Sequence, residues 1–259
     1  MYLYETHLHT NQGSACGNSQ GHEYIRRYRD LGYTGIFVTD HFVRGNCVVD
    51  RAKNWPEFVK RFCEGYEDAY NEGLKINFPV FFGWEETFDG DDFLVYGFDK
   101  EWLIKHPEVQ HWSRKEQYEQ TLLHGGCVVQ AHPFRERGYI STVHLSPWLC
   151  DALEVVNCGN TPQQDLSALR FAQKHGLRMT AGSDIHSVTQ MAPGQLSGVA
   201  FAQPLGSIFD YARALRGERD YTLVVPADRT SDGVPEMPVL PLDLRDADDR
   251  SIPVPHPLF

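Results

Sequence analysis

Alternation constrains this chain more than any other feature. Six runs rich in β-branched, aromatic and other apolar residues succeed one another: YLYETHLH, TGIFVTDH, FPVFFGWEE, CVVQAH, ALEVVN and LRMTAGSD. Each reads as a strand, and stretches with helical character separate several of them. Residues 21–31 stop at Gly32, a natural helix end. Residues 55–72 carry Trp55, Phe58, Phe62, Tyr66 and Ala69 at helical spacing, with Asn54 placed to cap and Pro56 in the first turn. That aromatic stripe is expected in the core. Ser113 with Glu116, and Thr161 with Gln164, fit capping boxes opening two further helices. Strand then helix, repeated, means parallel strands joined by crossover helices, an α/β architecture. A hydrophobic content of 41% supports a sizeable core, and the length of 259 residues suits one barrel-sized domain, expected over residues 1–225. From 226 to 259 the pattern fades into a Pro- and Asp-rich stretch. This is expected to be an irregular tail, packed on the domain or mobile.

The ends of the strand-like runs carry the chemistry. The first ends on His7 and His9, whose side chains share one face of an extended strand. The next end on Asp40 and His41, on Glu85 and Glu86, on His132, and on Asn157 and Cys158. The last ends on Asp184, with His186 two residues on. A lone His-x-His is more often two polar residues at a strand terminus than a metal grip. In a parallel barrel or open sheet, however, the C-terminal strand ends form one active face, so these residues gather on one rim. Imidazole and carboxylate donors together suit zinc, manganese or iron, and a carboxylate can bridge two ions. The remaining histidines, His22, His106, His111, His124, His144, His175 and His256, fall in helices, loops or the tail. They are expected mostly at the surface, and Cys47, Cys63, Cys127 and Cys150 as small apolar packing groups.

A formal net charge of −11 argues against a nucleic-acid backbone or an anionic membrane as a broad partner. A small phosphorylated substrate stays compatible, because bound cations reverse the local sign. The six cysteines show no CxxC pair, and neither a signal peptide nor a membrane-spanning apolar run is read. Reduced thiols and a cytoplasmic location are the expectation, with homo-oligomerisation left open.

HLHT, TDH, GWE, AHPFR and GSDIH, in that order, resemble the polymerase-and-histidinol-phosphatase (PHP) family of metal-dependent phosphoesterases. The resemblance runs from about residue 5 to about residue 190, and the set of motifs is more specific than any one of them. It implies a distorted (β/α)7 barrel with two or three divalent metal ions at its C-terminal face. By that resemblance His7, His9, Glu85 and Asp184 would hold one ion, and Glu85 would bridge to a second that also takes His132. His41 and His186 would hold a third. The family commonly places an Asp or His soon after the second histidine. Here the stretch is TNQGSACGN, so either Cys16 ligates as thiolate or the position is vacant. Where the family often supplies a further histidine after the glutamate, this chain has Leu94, with Cys158, Asn157 or water as possible replacements.

The implied reaction is hydrolysis of a small phosphomonoester (a sugar, amino-alcohol or nucleotide phosphate) by a metal-activated hydroxide. Asp184 or a bound water would shuttle protons. Arg135 would grip a phosphate oxygen or else be a solvated loop residue, and Asp40 would orient a histidine. The alternatives are a phosphodiesterase or exonuclease, and a non-catalytic metal-binding module of the same fold.

Overall fold

The computed structural model describes residues 1–229 and 232–259. Its strands are β1 (Tyr2–Glu5), β2 (Gly35–Val38), β3 (Val80–Phe88), β4 (Asp91–Tyr96), β5 (Cys127–Ala131), β6 (Val143–Leu145), β7 (Ala152–Asn157), β8 (Met179–Gly182), β9 (Gly198–Phe201), β10 (Thr222–Val224), β11 (Leu242–Arg245) and β12 (Ser251–Ile252). The helices are α1 (Gly21–Asp30), α2 (Trp55–Phe62), α3 (Glu64–Lys75), α4 (Lys100–Lys105), α5 (Arg114–Leu123), α6 (Pro162–Lys174) and α7 (Ile208–Leu215). The large sheet runs β10-β9-β1-β2-β3-β4-β5-β7-β8. Its far edge returns to its beginning: Leu8 bridges Ile185 in parallel, and the His9 amide donates to the Ile185 carbonyl at 2.8 Å. β1, β2, β3, β4, β5, β7 and β8 therefore form a nearly closed α/β barrel, while β9 pairs antiparallel with Tyr2, Leu3 and Tyr4 of β1.

All six strand-like runs form strands, and the seventh barrel strand is β4, which runs antiparallel to both neighbours. It follows β3 through a two-residue turn, Asp89–Gly90, with φ of 51° and 97°. Positive φ at both central residues is the geometry for which Asp-Gly is favoured in a tight hairpin, so a turn replaces a crossover helix here. The helix expected over 55–72 breaks at Cys63 into α2 and α3, the Asn54 side chain capping as expected. The break lets Gly65 seat the start of α3 against Thr10 and Asp40, where a Cβ would collide with the Thr10 hydroxyl. The Ser113 and Thr161 capping boxes also form.

Tyr4, Phe37, Leu94, Tyr96, Cys127 and Val129 fill the barrel below its mouth, together with Tyr211 of α7. Of the stretch 226–259, residues 230 and 231 lie outside the described residues. β11 extends β6 in parallel and pairs with β12. Buried Arg114 ties the β3–β4 turn to this stretch, pairing with Asp91 at 2.8 Å and Asp249 at 2.5 Å. Arg229 pairs with Asp165 at 2.9 Å and donates to the Asn160 and Cys158 carbonyls. Among the described residues no helix is long and apolar enough to cross a membrane.

Candidate metal centre

Glu5 holds two ligand-bearing strand ends in register. Its Oε1 accepts the His7 amide at 2.9 Å and the Ser183 amide at 2.8 Å, and its Oε2 accepts the Tyr28 hydroxyl at 2.9 Å. Next to them, the Glu85 amide donates to the Asp40 carbonyl and the Phe42 amide to the Glu85 carbonyl, so the ends of β2 and β3 advance together. His132 and Asp184 both sit in the left-handed region, at φ 32° and 54°. Strain of this kind in non-glycine residues persists where surrounding contacts enforce it, and such residues cluster at functional sites. Here the Glu154 carboxylate receives the His132 amide at 3.1 Å.

The hydrogen bonds around His7 and His9 fix which nitrogens face inward. Glu154 already accepts from the His132 amide and the Asn157 side chain, so His7 Nδ1, 3.0 Å away, is the donor. Ser14 gives its single hydroxyl proton to Asp40 at 2.7 Å, so His9 Nδ1 donates to Ser14 Oγ at 3.0 Å. Both Nε2 atoms are thereby turned toward each other, 3.0 Å apart, with room for one proton or one cation between them. Without a cation the two rings share the burden unequally. Burial opposes charge on His7, but Glu154, Asp184 and Glu85 outweigh it and raise its pKa well above the ordinary value. Burial, then the neighbouring His41, lowers His9 to about 3.

Carboxylates complete the donor set. Asp184 Oδ1 lies 3.2 Å from His9 Nε2 and 3.5 Å from His7 Nε2. Glu85 Oε2 lies 3.3 Å from His9 Nε2, and Glu85 Oε1 lies 3.5 Å from His7 Nε2 and 3.1 Å from His132 Nε2. Ligands bound about 2.0–2.1 Å from a tetrahedral ion lie roughly 3.3 Å from one another, so these separations suit a divalent cation. A second observation agrees. Glu85 Oε2 and His41 Nδ1 approach to 2.9 Å, yet neither has a hydrogen-bond partner. Burial opposes charge on His41, but Glu85 beside it raises its pKa well above the ordinary value, so in the metal-free protein a proton occupies the place between the two atoms that a cation would take. The donors form three overlapping groups: His7, His9 and Asp184; His7, Glu85 and His132; and His9, His41 and His186.

These residues floor a cleft of about 580 Å³, whose walls bring Arg44, Arg135, Arg137 and Tyr139 around Asp92 and Asp184. Arg135 is only 12% exposed, so it is not a solvated loop residue. Its Nη2 donates to Asp184 Oδ2 and to Asn157 Oδ1, both at 2.7 Å, and its Nε donates to Asn160 Oδ1 at 2.8 Å. Asp184 is thereby held well below the usual carboxylate range: burial opposes ionisation, but His7 and Arg135 prevail.

Other expected residues lie elsewhere. Asp40 is buried behind Ser14 and Thr10 and reaches the site only through the Ser14–His9 bond, so it cannot touch a substrate. Burial raises it to about 6 against those hydrogen bonds. Cys158 turns away, its thiol donating to the Gln195 carbonyl at 3.3 Å while burial raises it to about 12, and it joins none of the donor groups. Cys16 does line the cleft near His41 and His186, but it likewise joins none of the donor groups. Leu94 pairs directly with Glu85 inside the barrel, and two residues earlier Asp92 occupies the same face at the mouth. Asp92 Oδ2 is 3.8 Å from His132 Nε2. Period-two reading of DDFLVY would have found it. Glu5 and Glu154 also went unflagged, although a carboxylate inside an apolar strand signals a buried partner. Glu86 points to the opposite face and accepts the Arg44 amide at 2.8 Å.

No family model matches the sequence, and no curated protein matches it either. Among solved structures, one of a candidate metal-dependent phosphoesterase from Bifidobacterium adolescentis ATCC 15703 aligns with 71% of this chain and 87% of its own. The identity is 17% and the TM-score 0.48. An amidohydrolase from Chromobacterium violaceum, with bound sulfate and no metal, aligns with 87% of this chain and 98% of its own, at 14% identity and a TM-score of 0.49.

Proposed function

We propose that this chain is a metal-dependent phosphoesterase that hydrolyses a small phosphomonoester. One observation carries the reading: bare imidazole and carboxylate donors converge at the barrel mouth beside a clamped guanidinium. His7, His9, Glu85 and Asp184 would hold one divalent cation, Glu85 and His132 would face a second, and His41 and His186 a third. Bound there, such cations supply Lewis acidity toward phosphoryl oxygens and lower the pKa of a nearby water.

The protein's own groups do the rest. Asp184 is occupied on both oxygens, by the histidines and by Arg135, so it anchors and does not carry protons. Arg135 lines the cleft with Nη1 free of partners among the described residues, which leaves that edge for a phosphate oxygen. Arg44 and Arg137 add positive charge to the same cleft in a protein of net charge −11, which favours an anionic ligand locally. The volume suits a small metabolite.

The test is a hydrolysis screen on metal-stripped protein resupplied with manganese, zinc or iron, using phosphomonoesters with diesters alongside. Metal-dependent release of phosphate from monoesters is expected. Preference for diesters would move the reading to a phosphodiesterase, and no turnover with any metal would leave a binding module.

A further inference from the structure

Three arginines line the cleft above the donor cluster, and their charges are answered differently. Arg135 faces Asp184 at 2.7 Å, and Arg44 faces the buried Glu86 carboxylate at 3.3 Å. Arg137 has no carboxylate in ion-pair range among the described residues. Its Nη1 donates to the Glu136 carbonyl at 3.0 Å and its Nη2 to the Gly159 carbonyl. Neutral carbonyls fix a guanidinium without cancelling its charge, and two such bonds leave three of its five N–H groups unspent. The chain around Arg137 is pinned as well. The Arg135 amide donates to the His132 carbonyl at 3.0 Å, and the Glu136 carboxylate accepts the Leu240 amide at 2.8 Å. The Ile140 amide then closes a turn onto the Arg137 carbonyl at 2.9 Å. Gly159 relates the two arginines in space: a Cβ there would meet Arg135 Nη2 at 2.9 Å, while its carbonyl accepts from Arg137. Both guanidiniums therefore lie against Gly159 on the cleft wall, one spent on Asp184 and the other unanswered.

We propose that Arg137 binds a carboxylate on the leaving group, so that the substrate is the phosphate monoester of a small hydroxy acid. The inference deepens the phosphomonoesterase reading and rests on it. With Arg135 turned to the phosphate, a neighbouring fixed cation without an acidic partner is satisfied by a second anion. Its single uncompensated charge matches a carboxylate better than a phosphate dianion. A guanidinium also presents paired N–H groups at the spacing of two carboxylate oxygens.

The experiment resupplies stripped full-length protein with manganese, zinc or iron and compares two esters that differ in one group. 3-Phosphoglycerate carries a carboxylate on its leaving group, and glycerol 3-phosphate carries a hydroxymethyl in that place. Parent kcat/KM is expected to be about tenfold or more higher for the acid. Arg137→Gln should lose about ten- to a hundredfold on 3-phosphoglycerate through KM, with kcat retained. On glycerol 3-phosphate it should lose no more than a few-fold, the general effect of removing positive charge from the cleft. Arg137→Lys should recover part of the loss on the acid, because it keeps the charge and not the fork. A parent without preference for the acid, or a preference that survives in Arg137→Gln, overturns the assignment. Equal loss on both esters overturns it too, since Arg137 would then serve the shared phosphate. Preference for propane-1,3-diol bisphosphate over 3-phosphoglycerate overturns the carboxylate in favour of a second phosphate. In each of these cases phosphate is still released and the phosphomonoesterase reading stands. No release from any ester with any metal overturns that reading and the inference with it.

Discussion

The mouth of the barrel has two halves built to different standards. In the inner half, His7, His9, Glu85 and Asp184 are buried, and second partners fix their orientation: Glu154 behind His7, Ser14 behind His9, Arg135 behind Asp184. In the outer half, His41 is 14% and His186 23% exposed, and Cys16 faces the cleft. The His186 ring donates to the Asp184 carbonyl, and His41 Nδ1 pairs with Glu85 Oε2 at 2.9 Å. The inner half is preorganised, so a cation there displaces a proton without moving a ring. Donors in the outer half keep more solvent access. Tight, constitutive occupancy is expected inside and exchangeable occupancy outside.

Glu85 reaches into both halves, with Oε1 toward His7 and His132 and Oε2 toward His9 and His41, and its replacement should have the largest effect. Glu85→Gln replaces one acceptor oxygen with a donor. Metal should fall in both halves, and hydrolysis should drop by more than the roughly 10–100-fold that loss of a supporting partner costs. Elemental analysis beside kcat/KM decides it. Full metal content in this variant would break the comparison outright.

Glu154→Gln should separate the halves. Inner affinity is expected to weaken about 10–100-fold, because His7 loses the partner that fixes its tautomer. Outer affinity should stay unchanged. Titration against a competing chelator reads both, and equal weakening would mean the halves are one unit.

Arg135→Ala should cost about ten- to a hundredfold in kcat/KM, the equivalent of a charge-assisted bond of roughly 1.5–3 kcal/mol. Metal content at saturating metal should be retained, although inner affinity should weaken as Asp184 loses its partner. Arg135→Lys should recover part of the loss, since an ammonium cannot reproduce the forked contacts to Asp184, Asn157 and Asn160. Unchanged turnover in Arg135→Ala would remove this arginine from substrate binding.

The smallest effect on activity is expected from Arg229, which supports Arg135 at a distance. Arg229 pairs with Asp165, Asp165 accepts from Asn160, and Asn160 accepts from Arg135. Arg229→Gln should change kcat/KM by only a few-fold, with the clearer signal in stability. Burial raises Asp165 to about 7, with Arg229 pulling the other way, so removing the arginine raises it further. A carboxyl whose folded pKa exceeds its unfolded value of about 3.9 binds more protons folded, so stability falls as pH rises between the two values. The melting-temperature gap between this variant and the parent should therefore widen as pH rises through about 7, where the parent's Asp165 ionises and the variant's still holds its proton. A gap independent of pH would show that Asp165 is not the group left exposed to the loss.

Much of this was legible locally. Asn54, Ser113 and Thr161 cap their helices because capping needs only residues three positions apart. Asp89–Gly90 carried a hairpin signal that six strand-like runs overshadowed, and with it the antiparallel β4 and Asp92. Cys16 and Cys158 looked alike in sequence, as single thiols near strand ends. They differ because one loop is pinned between Asn46 and His186 while the other turns toward Gln195.

By itself the sequence determined the parallel α/β plan and the residue types at the strand ends, because side-chain periodicity and strand polarity place those ends on one rim. Only the tertiary structure decided which nitrogen of each histidine faces inward. That choice lies with partners such as Glu154, 147 residues from His7, and Asp40, held across Ser14 from His9. A hydrogen bond that sets a tautomer depends on where two distant strands meet, and closure of the barrel brings them together.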